Sequence, residues 1–160
     1  MRDTSDTHDD WPGALATLTR VLETMPPDDI TQVLATAWEG LLAARWCGLA
    51  AAADPRWKAR QGNAETCEYD LATQFSYSLA LADRTLTLPA PDATVAPLQG
   101  EAADAAVAAI IGYTTVTNPL LLAAGNHHGR WEDQRACLHS ARLMTSLGEC
   151  WEGHHPCYRR

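Results

Sequence analysis

Basic residues are in short supply. Twelve lysines and arginines face 20 aspartates and glutamates, for a formal charge of −8, and that balance excludes nucleic acid as the main partner. Strand patterning is absent as well: no segment alternates apolar and polar residues between turn signals, and Tyr113-Thr-Thr-Val-Thr117 has nothing obvious to pair with. The first ten residues hold Asp3, Asp6, Asp9 and Asp10 without an apolar run, so no secretory signal is expected and the cytoplasm is the expected compartment. A phosphate-binding glycine loop, a His-Glu-x-x-His pair, a Gly-x-Ser-x-Gly elbow and a dinucleotide fingerprint are all missing, which removes the enzyme classes that depend on them. A di-iron carboxylate bundle needs two Glu-x-x-His motifs; only Glu152-x-x-His155 occurs, interrupted by Gly153 and followed by Pro156.

Five cysteines, an odd number in a chain expected to lack an export signal, read as free thiols or metal ligands rather than a disulfide framework. With 160 residues, 46% hydrophobic and 20% charged, the chain can build one domain with an ordinary core. Residues 1–10 are expected to be a disordered acidic N-terminus, 11–152 a single helical domain, and 153–160 a tail carrying His and Cys. The longest uncharged stretch, residues 105–126, is long enough to cross a bilayer. Thr114, Thr115, Thr117 and the pair Asn118-Pro119 fit a buried helix broken at the proline better, so no membrane association is expected.

Helical spacing dominates, and the predicted fold is all-α: a compact bundle of four to five main helices with short extra turns. Trp11, Leu15, Leu18, Leu22 and Met25 form one stripe. Pro26-Pro27 ends that helix, and Asp28 or Asp29 caps a second one, which reaches Leu49 and is apolar around most of its circumference. Asp54-Pro55 starts a short turn; Asn63 is then expected to cap a third helix whose buried side carries Cys67, Leu71, Phe75, Leu79 and Leu86. Leu88 to Pro97 reads as the one long connection. An alanine-rich fourth helix is expected from about Pro97 to Thr117, followed by a short turn from Asn118 to Gly125, and a fifth helix from about Gly129 to Glu152.

On the fifth helix, Glu132, Arg135, His139, Arg142, Ser146 and Glu149 fall within a sector of about 100° at 100° per residue. Leu143 and Leu147 flank one side of it; Trp131, Leu138 and Trp151 lie toward the other. A surface helix needs a narrower apolar stripe than this, so the helix is either central in the bundle or covered on one flank by another chain. The third helix carries a second semi-apolar face of Tyr69, Thr73 and Tyr77. These features predict self-association, with Tyr69, Tyr77, Trp131, Leu138, Leu143, Leu147 and Trp151 as interface candidates.

Six tryptophans against one phenylalanine suit places where a large apolar body meets a polar edge. An apolar ligand pocket in the helical core is therefore a second reading, lined by Trp38, Trp46, Tyr77 and Tyr113 and given polar groups by Glu39, Arg45 or Asp104. Core packing accounts for the same aromatics, and a structural ion pair for the charges; Asp104 is the partner considered for Arg45. The densest group of metal-ligand types is Cys150, His154, His155 and Cys157, chemically suited to zinc but spaced like no standard zinc motif. Burial of Cys150 as a small hydrophobe, or a Cys150–Cys157 disulfide, explains the same residues. No cofactor is predicted, and zinc is the one alternative. The expected function is thus that of a small acidic cytoplasmic helical bundle, homodimeric and binding a protein partner. A small enzyme or sensor for an apolar molecule and a metal-binding protein are the alternatives.

Overall fold

The computed structural model describes residues 10–154; the acidic segment 1–9 and residues 155–160, with His155 and Cys157, lie outside the described residues. Within them the chain folds into five helices and no strands. Helix α1 spans Trp11–Glu23, with the Asp10 carboxylate accepting the Gly13 N–H at 2.9 Å. Leu15 and Leu22 of its stripe are buried, and Trp11 stacks on Trp46 at 5.5 Å.

Helix α2 spans Ile30–Ala51, capped by Asp29. It packs against all four other helices and is buried around most of its circumference. That central place suits its near-absence of charge. Small residues let neighbours come close: Gly40 leaves the space that the Tyr113 ring fills, and the Tyr113 hydroxyl donates to the Ala37 carbonyl at 2.5 Å.

Helix α3 spans Pro55–Ser76 without a break, capped by Asp54. The expected interruption at Gly62-Asn63 does not occur. Gln61 and Ala64 on either side are buried. A mid-helix glycine costs roughly 1 kcal/mol, less than freeing the carbonyls and apolar contacts that a break would expose. The helix also stops earlier than its apolar pattern suggests. Leu79 is exposed and Leu86 half-buried, both in the connection over residues 77–99.

That connection is long but tied down. The Ala80 N–H donates to Asp133 at 3.0 Å, Leu81 and Leu88 are buried, the Pro89 carbonyl accepts from Arg45 Nε at 3.1 Å, and the Leu98 N–H donates to the Ala50 carbonyl at 3.0 Å.

Helix α4 spans Gly100–Gly125 with Pro119 inside it, where a helix end and a turn were expected. Proline removes one donor, the one that would reach the Thr115 carbonyl. Both Thr115 and Pro119 face solvent, so water can satisfy that carbonyl. On the other side Leu120, Leu121 and Ala124 are buried. Asn118 fastens the same turn to the last helix by donating to the Ala141 carbonyl at 2.7 Å and Thr145 Oγ at 2.9 Å. By length and composition α4 is the one helix among the described residues able to cross a membrane; here it packs against α1, α2 and the last helix with Tyr113, Thr114 and Thr117 buried.

Helix α5 spans Trp131–Glu152, with Glu132 and Asp133 in its first turn, where the helix dipole favours them. Gly153 ends it in the left-handed conformation, φ 77°, and the His154 N–H closes onto the Glu149 carbonyl at 2.9 Å.

Candidate functional site

Helix α5 packs on α4 along one flank and on α3 along the other. Both of its apolar sides are therefore covered within the chain. Leu147 and Trp151, expected at an interface, are buried in the core, and Leu143 is half-buried against it. For Leu147 and Trp151 this is a correction, because neighbouring helices supply the cover that the helical pattern left open; Leu143 keeps part of its surface exposed.

Only the start of α5 keeps exposed apolar groups. Trp131 is 64% exposed and Leu138 38%. Leu138 lies over Gly125 of α4, where an added Cβ would meet its side chain at 2.7 Å. The Arg135 guanidinium sits over the Trp131 ring, 5.3 Å from its centroid. These residues, with Asn126, Gln134 and His139, line an open hollow of about 520 Å³. Arg135 is exposed within it, and Arg130, next to Trp131 in the chain, is exposed too. Gly129, two residues before Trp131, lies against Ile30, and Asp28 and Asp29 ahead of Ile30 are exposed. The corner thus has an apolar centre with Arg135 in its lining, and exposed charges of both signs lie close by along the chain.

Tyr69 and Tyr77 belong elsewhere. The Tyr69 ring lies 5.6 Å from the Arg45 guanidinium on the α2 side of α3, and Tyr77 is exposed just beyond the end of α3. They do not line the hollow with Trp131 and Leu138.

The residues considered for a ligand pocket do not converge either. Trp38 is packed edge-on to Phe75 at 6.2 Å, and Tyr113 is fully buried. Trp46 stacks on Trp11, Glu39 lies at the surface 3.7 Å from Arg84, and Asp104 pairs with Arg56 at 2.9 Å while accepting from Trp57 Nε1 at 3.1 Å. Core packing and surface pairing account for Trp38, Trp46, Tyr113, Glu39 and Asp104, while Tyr77 stays exposed.

Arg45 is fully buried, and its partners are not Asp104 but two glutamates of α3. Nη2 donates to Glu65 at 2.7 Å and Nη1 to Glu68 at 3.1 Å. Burial pushes the Glu68 carboxyl up to about 7 against the opposing pull of Arg45. Burial works against the Arg45 charge too, but Glu68 and Glu65 outweigh it, and its pKa is raised. Sequence reasoning missed this cluster, although one signal was available. Glu68 falls in the same helical phase as Ala64, Leu71 and Phe75, all buried. A carboxylate on a core stripe calls for a cation, and Arg45 is a charge on the most buried helix.

A second pair of carboxylate contacts joins two helix starts. Hydrogen bonds from the Arg56 side chain and backbone hold the Asp54 carboxyl well below the usual carboxylate range, and Asp54 also accepts the Gly100 N–H at 3.0 Å.

Of the metal candidates, Cys150 is buried in the seam with α3 and His154 is exposed. Among the described residues no group of three or more His, Cys, Asp or Glu is placed to hold a metal ion; His155 and Cys157 lie outside them. No family model matches the chain, and the curated proteins and solved structures contain no significant match.

Proposed function

We propose that this protein is a non-catalytic helical module that works by protein association, with the α4–α5 corner around Trp131 and Leu138 as its contact face and a second copy of the chain as the occupant. The observation that carries this reading is the exposure of Trp131, 64%, beside the half-exposed Leu138 at the edge of an open hollow. Tryptophan anchors of this kind concentrate binding energy at protein interfaces when a partner pocket receives them. The corner can supply both parts, a projecting ring and a hollow, as a two-fold contact requires. Exposed charges close by support the same arrangement: Arg130 and Arg135 of one copy and Asp28 and Asp29 of the other are opposite in sign.

Light scattering after size exclusion, together with native mass spectrometry, tests this directly. The expected result is a dimer that the double substitution Trp131→Ser, Leu138→Ser converts to monomer with an unchanged helical circular dichroism spectrum. A wild-type protein that stays monomeric throughout the micromolar range overturns the proposal.

A further inference from the structure

In the seam between α3 and α5, Cys67 Sγ and Cys150 Sγ are 3.9 Å apart, and Cys150 Sγ is also 3.8 Å from the Asn63 carbonyl. The helices are fastened at this end by Arg60, whose Nη1 donates to the Trp151 carbonyl at 2.7 Å. Cys150 is inaccessible, whereas Cys67 keeps 7% of its surface open. The other two cysteines among the described residues differ: burial pushes the thiols of Cys47 and Cys137 up to about 12, which holds them protonated and inert.

We propose that Cys67 and Cys150 form an oxidisable dithiol, a modification site for hydrogen peroxide whose product is a disulfide joining α3 to α5. The Cys67 sulfur attacks one peroxide oxygen; an S–O bond forms, the O–O bond breaks, and the second oxygen leaves as water with the thiol proton. The Cys150 sulfur then attacks the Cys67 sulfur of the resulting sulfenic acid. An S–S bond forms, the S–O bond breaks, and a second water leaves with the Cys150 proton. Two thiols have lost two electrons to one peroxide. Cys67 is the first nucleophile because it keeps 7% of its surface open, whereas Cys150 keeps none. Its hydrogen bond with Cys150 lowers its pKa, outweighing burial and the nearby charges of Asp70 and Glu149. Side-chain rotation has to bring the sulfurs from 3.9 Å to bonding distance, about 2 Å. The bond would close a loop spanning more than half the chain, which restricts the unfolded state and stabilises the fold. This inference is independent of self-association.

The test is peroxide treatment of the full-length native protein, alkylation of the remaining thiols, and peptide mapping. The expected product has lost two hydrogens from its intact mass, yields a Cys67–Cys150 crosslinked peptide, melts at higher temperature and reverts with reductant. Cys157→Ser keeps the crosslink and Cys67→Ser abolishes it. A Cys150–Cys157 crosslink, over-oxidation of Cys67 without a crosslink, or a full set of unreacted thiols overturns the proposal.

Discussion

Arg45 Nη1 donates to Glu68 Oε1 at 3.1 Å inside the bundle, where the two side chains are 0% and 2% exposed. The same guanidinium reaches the Pro89 carbonyl, so one buried cation links α2, α3 and the long connection. Desolvation makes such a group costly to leave without its partners, and stability and pH response meet here.

The first prediction concerns pH. Burial holds the folded-state pKa of Glu68 near 7, above the 4.5 of an unperturbed glutamate. Between these values the folded chain binds a proton that the unfolded chain has released. This contribution to stability is therefore complete below about pH 4.5 and is lost as pH rises toward 7. Its size is on the order of a few kcal/mol. Urea unfolding from pH 5 to 8 should show stability falling with pH, and Glu68→Gln should flatten that slope. Equal slopes for the two proteins would contradict the buried, proton-holding Glu68.

Replacing the cation gives the converse experiment. Arg45→Met leaves Glu68 without its buried partner and frees Pro89. The expected loss is about 3–5 kcal/mol at pH 8, and less at pH 5, where Glu68 is protonated. Hydrogen exchange over residues 77–99 should accelerate, because the connection loses one of its ties.

Helix α5 offers a paired comparison. Leu147 is fully buried and Leu138 is 38% exposed. Leu147→Ala should cost about 2–5 kcal/mol by opening a core cavity, whereas Leu138→Ala should cost less than about 1 kcal/mol. Measured by chemical unfolding of dilute protein, a large loss at Leu138 would mean that its packing over Gly125 supports the fold rather than a contact face.

Pro119 interrupts the hydrogen bonding of α4 on its solvent side. Pro119→Ala restores one backbone bond without disturbing the buried face, and it should raise stability by about 1 kcal/mol or more, read as a higher melting temperature. A fall would show that the helix needs the proline's local geometry to place Asn118 against Ala141 and Thr145.

Much of this architecture was legible in the chain. The α2 cap at Asp29, one of the two aspartates expected there, the stop at Gly153, the α1 stripe and the apolar circumference of α2 follow the residue pattern, whereas Asp54-Pro55 opens the whole of α3 rather than a short turn. The site was less legible. Trp131 and Leu138 were among the interface candidates, but so were Leu147 and Trp151, and only burial separates the two pairs. Glu65, Glu68 and the Cys67–Cys150 pair attracted no notice, because each gains its meaning from a residue at least twenty positions away.

The division follows the range of the forces involved. Caps such as Asp29 and Gly153 act through hydrogen bonds within one turn, so the sequence alone determined these, along with the all-α class. Tertiary packing decided whether Gly62-Asn63 and Pro119 would interrupt their helices, which cation would meet Glu68, and which flanks of α5 would be filled. Those outcomes turn on apolar burial and charge pairing between helices, which outweigh a local preference of about 1 kcal/mol and have no signature within a single turn.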